Sequence, residues 1–80
     1  MNITQHNIHK YYDKKKGVLD CAGQNITKLS WIPAGTTEIY CNDNRITYIA
    51  DLQHNVLVLD CSDNLLTKLP KINDKLEDLY

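Results

Sequence analysis

Three cysteines stand at positions 21, 41 and 61, and the spacing of 20 between them organises the rest of the chain. Self-similarity at a fixed period of about 20–50 residues marks a repeat architecture, and it outranks any local reading. On that period residues 16–35 read KGVLDCAGQNITKLSWIPAG, 36–55 read TTEIYCNDNRITYIADLQHN and 56–75 read VLVLDCSDNLLTKLPKINDK, without a gap. A fourth unit begins with LEDLY at 76–80. With each unit numbered 1 to 20, position 4 holds Leu19, Ile39, Leu59 and Leu79, and position 6 is Cys throughout. Position 9 holds Gln24, Asn44 and Asn64, position 11 Ile26, Ile46 and Leu66, and position 12 Thr27, Thr47 and Thr67. Position 14 holds Leu29, Ile49 and Leu69, and position 17 holds Ile32, Leu52 and Ile72.

The third unit, VLVLDCSDNLL, maps directly onto L-x-x-L-x-L-x-x-N/C-x-L, with Cys61 in the third apolar slot and Asn64 in the asparagine slot. Over residues 16–80 the chain therefore resembles the leucine-rich repeat family, in its shortest repeat class. It is similar to the subtype found in bacterial effector proteins and to short cysteine-bearing repeats of large DNA viruses. The effector subtype carries Leu-Pro-x-Leu-Pro after the signature. Here Pro70 follows Leu69 in the third unit, Pro33 follows Ile32 in the first, and the second unit has neither. The resemblance implies a solenoid with parallel β-strands on a concave face and irregular or extended convex segments. It also implies a non-catalytic protein that binds a protein partner through the concave face. The alternative it leaves open is a fragment or recognition module of a larger repeat protein or ubiquitin-ligase-like effector.

In a solenoid each unit buries its apolar residues against its neighbours. Positions 4 and 6 alternate along a short strand, so both point inward, and successive strands lie parallel, about 4.8 Å apart, as one narrow sheet. Positions 11, 14 and 17 belong to the turn and return path and close the same core. The return segments LSWIPAG and LPKINDK are short and contain Pro or Gly, which predicts extended or turn-like backbone with few or no helices. This architecture suits a chain of 80 residues, which makes one small domain whose conventional core would be marginal.

The columns assign roles. A cysteine at position 6 is a small buried hydrophobe. A zinc site wants four converging ligands, commonly paired as C-x2-C, and a nucleophilic thiol wants exposure and a neighbouring base. Single cysteines on successive strands offer neither, and His6, His9 and His54 fall in the arm and a return loop. No catalytic, metal or cofactor site is expected. The asparagine at position 9 sits where the chain turns out of the sheet and frees backbone groups that need partners, and a side-chain amide can bridge them to the next coil. The threonine column can do similar work through its hydroxyls.

Positions 3, 5 and 7 face away from the core and are the candidate binding residues. Position 3 is Val18, Glu38, Val58 and Asp78; position 5 is Asp20, Tyr40, Asp60 and Tyr80; position 7 is Ala22, Asn42 and Ser62. Acidic and apolar or aromatic residues alternate down these columns, so the face has a true period of 40. One reading is that the alternation separates like charges, which repel when directly opposite. The other is a recognition surface with tyrosine anchors and acids for a basic or donor-rich partner.

The net charge of −1 is split: residues 1–16 carry Lys10, Lys14, Lys15 and Lys16 against Asp13, and the rest carries five basic and nine acidic residues. A single arginine, Arg45, leaves the body without the dense basic surface that nucleic-acid recognition uses, so no nucleic-acid partner is expected. No apolar run approaches the length of a membrane span, and no secretory signal opens the chain, so an intracellular, membrane-free protein is expected. An odd number of cysteines fits a reducing compartment. Residues 1–15 lie outside the repeat and form an arm or partial cap, with Ile8, Tyr11 and Tyr12 available to cover the first unit. At the other end Leu76 and Leu79 open a unit with no cap, an edge that invites self-association.

Overall fold

Each unit places its residues 3 to 5 in a short strand, and the strands stack at a register of one repeat. In the computed structural model, which describes all 80 residues, the strands are β1 (Asn2–Ile3), β2 (Tyr12–Asp13), β3 (Val18–Asp20), β4 (Lys28–Leu29), β5 (Glu38–Tyr40), β6 (Tyr48–Ile49), β7 (Val58–Asp60) and β8 (Asp78–Leu79). Strands β3, β5, β7 and β8 pair in parallel, with Leu19 beside Ile39, Ile39 beside Leu59 and Leu59 beside Leu79. The chain is a β-solenoid of about three turns with almost no helix, its one helical element a 3-10 turn at Ile8–Lys10.

The return path is extended, as the sequence predicts, and its extended residues pair: a second, three-stranded sheet runs β1–β4–β6, with Ile3 beside Leu29 and Leu29 beside Ile49. Positions 13 and 14 are extended in the first two units, so stacking at the repeat period brings their backbones opposite one another. The third unit leaves this sheet at Lys68–Leu69, and Pro70 supplies the reason. At position 15 the N–H of Ser30 donates to Ile3 O at 2.9 Å and that of Ala50 to Leu29 O at 2.8 Å. Proline has no N–H to continue that row.

The core follows the columns and then runs out. Leu19, Cys21, Ile26, Leu29, Ile39, Cys41, Ile46 and Leu59 are fully buried, and Cys61 nearly so. Column 14 goes from 0% exposed at Leu29 through 3% at Ile49 to 48% at Leu69. Ile72 and Leu79 are likewise exposed.

The arm covers the opposite end. Ile3 and Ile8 are buried in the core, and Tyr11 and Tyr12 pack against it. β2 pairs antiparallel with β3, while Met1 O accepts the Thr27 N–H at 2.8 Å, just as Thr27 O accepts that of Thr47 at 2.9 Å. The arm thus supplies a partial preceding coil to both sheets. Its junction with the first unit is Gly17, at φ +68°, where a Cβ would stand 2.7 Å from Gly35 O. Only glycine fits that left-handed backbone at that approach.

Candidate interaction face

The turn after each strand fixes the outer face. Position 8 is Gly23, Asp43 and Asp63, all left-handed with φ of 66°, 58° and 54°. Gly and Asp adopt this conformation at low cost, a signal legible in the column. The reversal aims position 9 inward. Asn44 Oδ1 accepts the N–H groups of Gln24 and Ile26, both at 2.9 Å, and its amide donates to the carbonyls of Cys21, Cys41 and Asn42 at 3.0–3.1 Å. Asn64 repeats this one coil on, accepting from Ile46 and donating to Cys41, Cys61 and Ser62. The side chain of Gln24, with no full coil before it, bonds only Ala22 O. The threonine column stitches the return path: the hydroxyl of Thr27 donates to Met1 O and that of Thr47 to Thr27 O.

With the turns fixed, the parallel register lays the candidate residues in rows. Val18, Glu38, Val58 and Asp78 lie side by side, as do Asp20, Tyr40 and Asp60, and Tyr80 extends the second row through the bonds Tyr80 N to Leu59 O and Cys61 N to Tyr80 O, both 2.9 Å. All lie on the outer face of the five-stranded sheet, with Val18, Glu38, Tyr40, Val58 and Asp60 half-buried and Asp20, Asp78 and Tyr80 exposed. Positions 3, 5 and 7 hold four carboxylates and no cation.

Several polar groups on this face already have local work. The Asp20 carboxylate accepts the Ala22 N–H, and Asp60 accepts both the N–H and the hydroxyl of Ser62, the latter at 2.7 Å. Tyr40 donates its hydroxyl to Glu38. That bond holds the phenol proton and raises the Tyr40 pKa, with burial and the Glu38 charge adding to it. Asn42 donates to Asp43 at 2.8 Å. Only Asp78 and Tyr80 have side chains that take no part in a hydrogen bond within the protein.

The cysteines behind the face are buried thiols. Burial, with Asp20 adding, pushes Cys21 from an ordinary 9.0 up to about 12. Cys41 is raised further, again by burial first and then by its neighbours Cys21 and Cys61, and Cys61 is raised by burial and then Asp60. Such thiols stay protonated at neutral pH, the reverse of an activated nucleophile. No group of three or more His, Cys, Asp or Glu is placed to hold a metal ion.

The raised thiols set an alkaline limit on stability. Below pH 9 they are protonated in both the folded and the unfolded chain. As pH rises from 9.0 towards 12 the unfolded chain releases their protons and the folded chain keeps them, so stability falls. Cys21 and Cys41 each contribute a slope of about 1.4 kcal/mol per pH unit in that window. The urea midpoint, measured under reductant, is expected to drop steadily above pH 9, and Cys41→Ala, though less stable at pH 7, is expected to show a shallower drop. An unchanged slope in that variant would refute the assignment.

No helix is long and apolar enough to cross a membrane. Comparison with known proteins adds no relative to this picture: no family model, no curated protein and no solved structure matches the chain at a significant level.

Proposed function

We propose that the chain is a leucine-rich repeat protein that binds a protein partner through the outer face of its five-stranded sheet and carries no catalysis of its own. The observation that carries this reading is the pair of rows just described: four carboxylates interleaved with Val18, Val58, Tyr40 and Tyr80, with no cation among them. A basic or donor-rich surface is the complement of such a face, with the tyrosines as amphipathic anchors. The match of the 20-residue columns to the leucine-rich pattern supports the family assignment.

The same reading places self-association at the free edge of β8, where Leu79, at 42% exposed, and Tyr80, at 63%, adjoin unpaired backbone. The test of the face uses Tyr40→Ala combined with Asp78→Lys, because Asp78 holds nothing in place whereas Asp20 and Asp60 close their turns. Proteins captured by the parent chain and lost from this variant, at an unchanged melting temperature, are the expected result. Equal capture by both chains would refute the face as the binding surface.

A further inference from the structure

A second concavity lies away from the sheet face, between the arm and the return segment of the first coil, with a volume of about 580 Å³. That is within the size range of ligand sites, about 300–1,000 Å³. Its position becomes informative when the repeats are compared. Positions 16, 18 and 19 are Asp51, Gln53 and His54 in the second unit and Lys71, Asn73 and Asp74 in the third. In the first unit they are Trp31, Pro33 and Ala34. Columns that are polar wherever they meet solvent become apolar in the one coil that borders the arm. The tryptophan is not a core residue: Trp31 is 44% exposed, outside the buried cluster.

The rest of the lining comes from the arm. Tyr12 and His9 flank the cleft, and Gln5 and Lys14 stand at its margin. No side-chain hydrogen bond within the protein engages Gln5, His9, Tyr12, Lys14 or Trp31, and no polar atom among them is buried without a partner. The indole N–H and the ammonium can only donate, and the phenol and amide can donate as well. No carboxylate lines the cleft, and Lys14 gives it a cation. The occupant this chemistry suits has apolar flat rings, free carbonyl acceptors, few donors and negative charge.

We propose that this cleft binds an acidic, proline-containing peptide segment in the polyproline II conformation. Proline carries no N–H, and a polyproline II chain makes no internal hydrogen bonds, so its carbonyls are free to accept from Trp31, Tyr12 and Gln5. Its pyrrolidine rings pack on aromatic side chains, and its preformed shape limits the entropy lost on binding. A glutamate beside the prolines meets Lys14. The site is independent of the sheet face and stands or falls without it.

Trp31 is the only tryptophan of the chain, so its emission reports the cleft directly. The full chain is titrated with four probes: peptides repeating Glu-Pro-Pro, Glu-Ala-Ala and Lys-Pro-Pro, and a single-stranded oligothymidine. A saturable emission shift with Glu-Pro-Pro alone is expected. With the same peptide carrying a fluorophore, anisotropy is expected to show Trp31→Ala weakening binding ~30-fold, as loss of a central aromatic anchor does. Lys14→Gln is expected to weaken it about threefold at low salt, the scale of an exposed ion pair. No saturable shift, an equal shift with Glu-Ala-Ala, Lys-Pro-Pro or the oligonucleotide, or unweakened binding by a folded Trp31→Ala chain would each overturn the proposal.

Discussion

Asn44→Ala is expected to lower stability by about 4 kcal/mol, a third or more of the total. An 80-residue domain has only about 4–12 kcal/mol in total. The substitution strands the N–H of Ile26 and the carbonyl of Cys21, both on residues with no solvent exposure, and leaves the Cys41 carbonyl with Asn64 alone. Each buried group left without a partner costs about 1–3 kcal/mol. Asn44→Asp is expected to be no better, since it keeps the acceptor but turns a carboxylate towards three carbonyl oxygens. The same change at other positions of the column calibrates the argument. Asn64→Ala is expected to cost about 2 kcal/mol, because Asn64 is half-exposed and water can replace part of what is lost. Gln24→Ala, whose side chain is exposed and bonds only Ala22 O, is expected to change stability by less than about 0.5 kcal/mol. Denaturant midpoints for the three variants should fall in that order. Equal costs at Asn44 and Gln24 would refute the ladder as a stabilising feature.

That ladder was legible because its cause is periodic. A column can be read when each unit meets the same neighbours, and positions 4, 6, 9, 11 and 12 do so in at least two successive coils. The features that escaped are those that break the period. The second sheet arises from extended backbone at positions 13 and 14, whose residues Lys28, Leu29, Tyr48 and Ile49 share no strand-like alternation of their own. It ends where one residue, Pro70, removes one donor. The burial of Ile3 escaped because the arm joins the sheet β1–β4–β6 at a register outside the repeat: Ile3 pairs with Leu29, 26 positions away rather than 20. The cleft at Trp31 escaped because its two walls come from segments far apart in sequence.

The residues of the outer face are not equivalent. The alternation at position 5 has a local cause in hydrogen bonding along each strand, not only in spacing of charge. Where position 5 is aspartate, at Asp20 and Asp60, the carboxylate reaches forward to close the turn at position 7. Where it is tyrosine, at Tyr40, the hydroxyl reaches back to an acid at position 3, Glu38. The fourth unit repeats the residue types of the second, Asp78 and Tyr80, without the hydrogen bond between them. Two ways of satisfying one coil's polar groups thus alternate through the three full units. An interface built on this face would draw its freest groups from the C-terminal side, where Asp78 and Tyr80 are exposed.

Column 14 should separate the closed end of the solenoid from the open one. Leu29→Ala is expected to cost about 3 kcal/mol, the usual range for emptying a leucine site in a packed core being about 2–5 kcal/mol. Leu29 is fully buried, held between Ile3 and Ile49 in the second sheet, so a cavity there has no surface through which to collapse. Leu69→Ala, the same substitution in the same column, is expected to shift the denaturant midpoint of the monomer by less than about 0.5 kcal/mol, because Leu69 is 48% exposed and its unit has left the sheet. Its effect should appear instead in association. Leu69, Ile72 and Leu79 form the uncovered end of the core, and copies that meet there bury them. Sedimentation of the parent chain at rising concentration, beside Leu69→Ala and Leu79→Lys, then reads the second half of the argument. Weaker association in both variants at unchanged monomer stability is the expected pattern. A cost at Leu69 as large as that at Leu29 would mean that the third coil is closed, and that its leucines already have the cover they need.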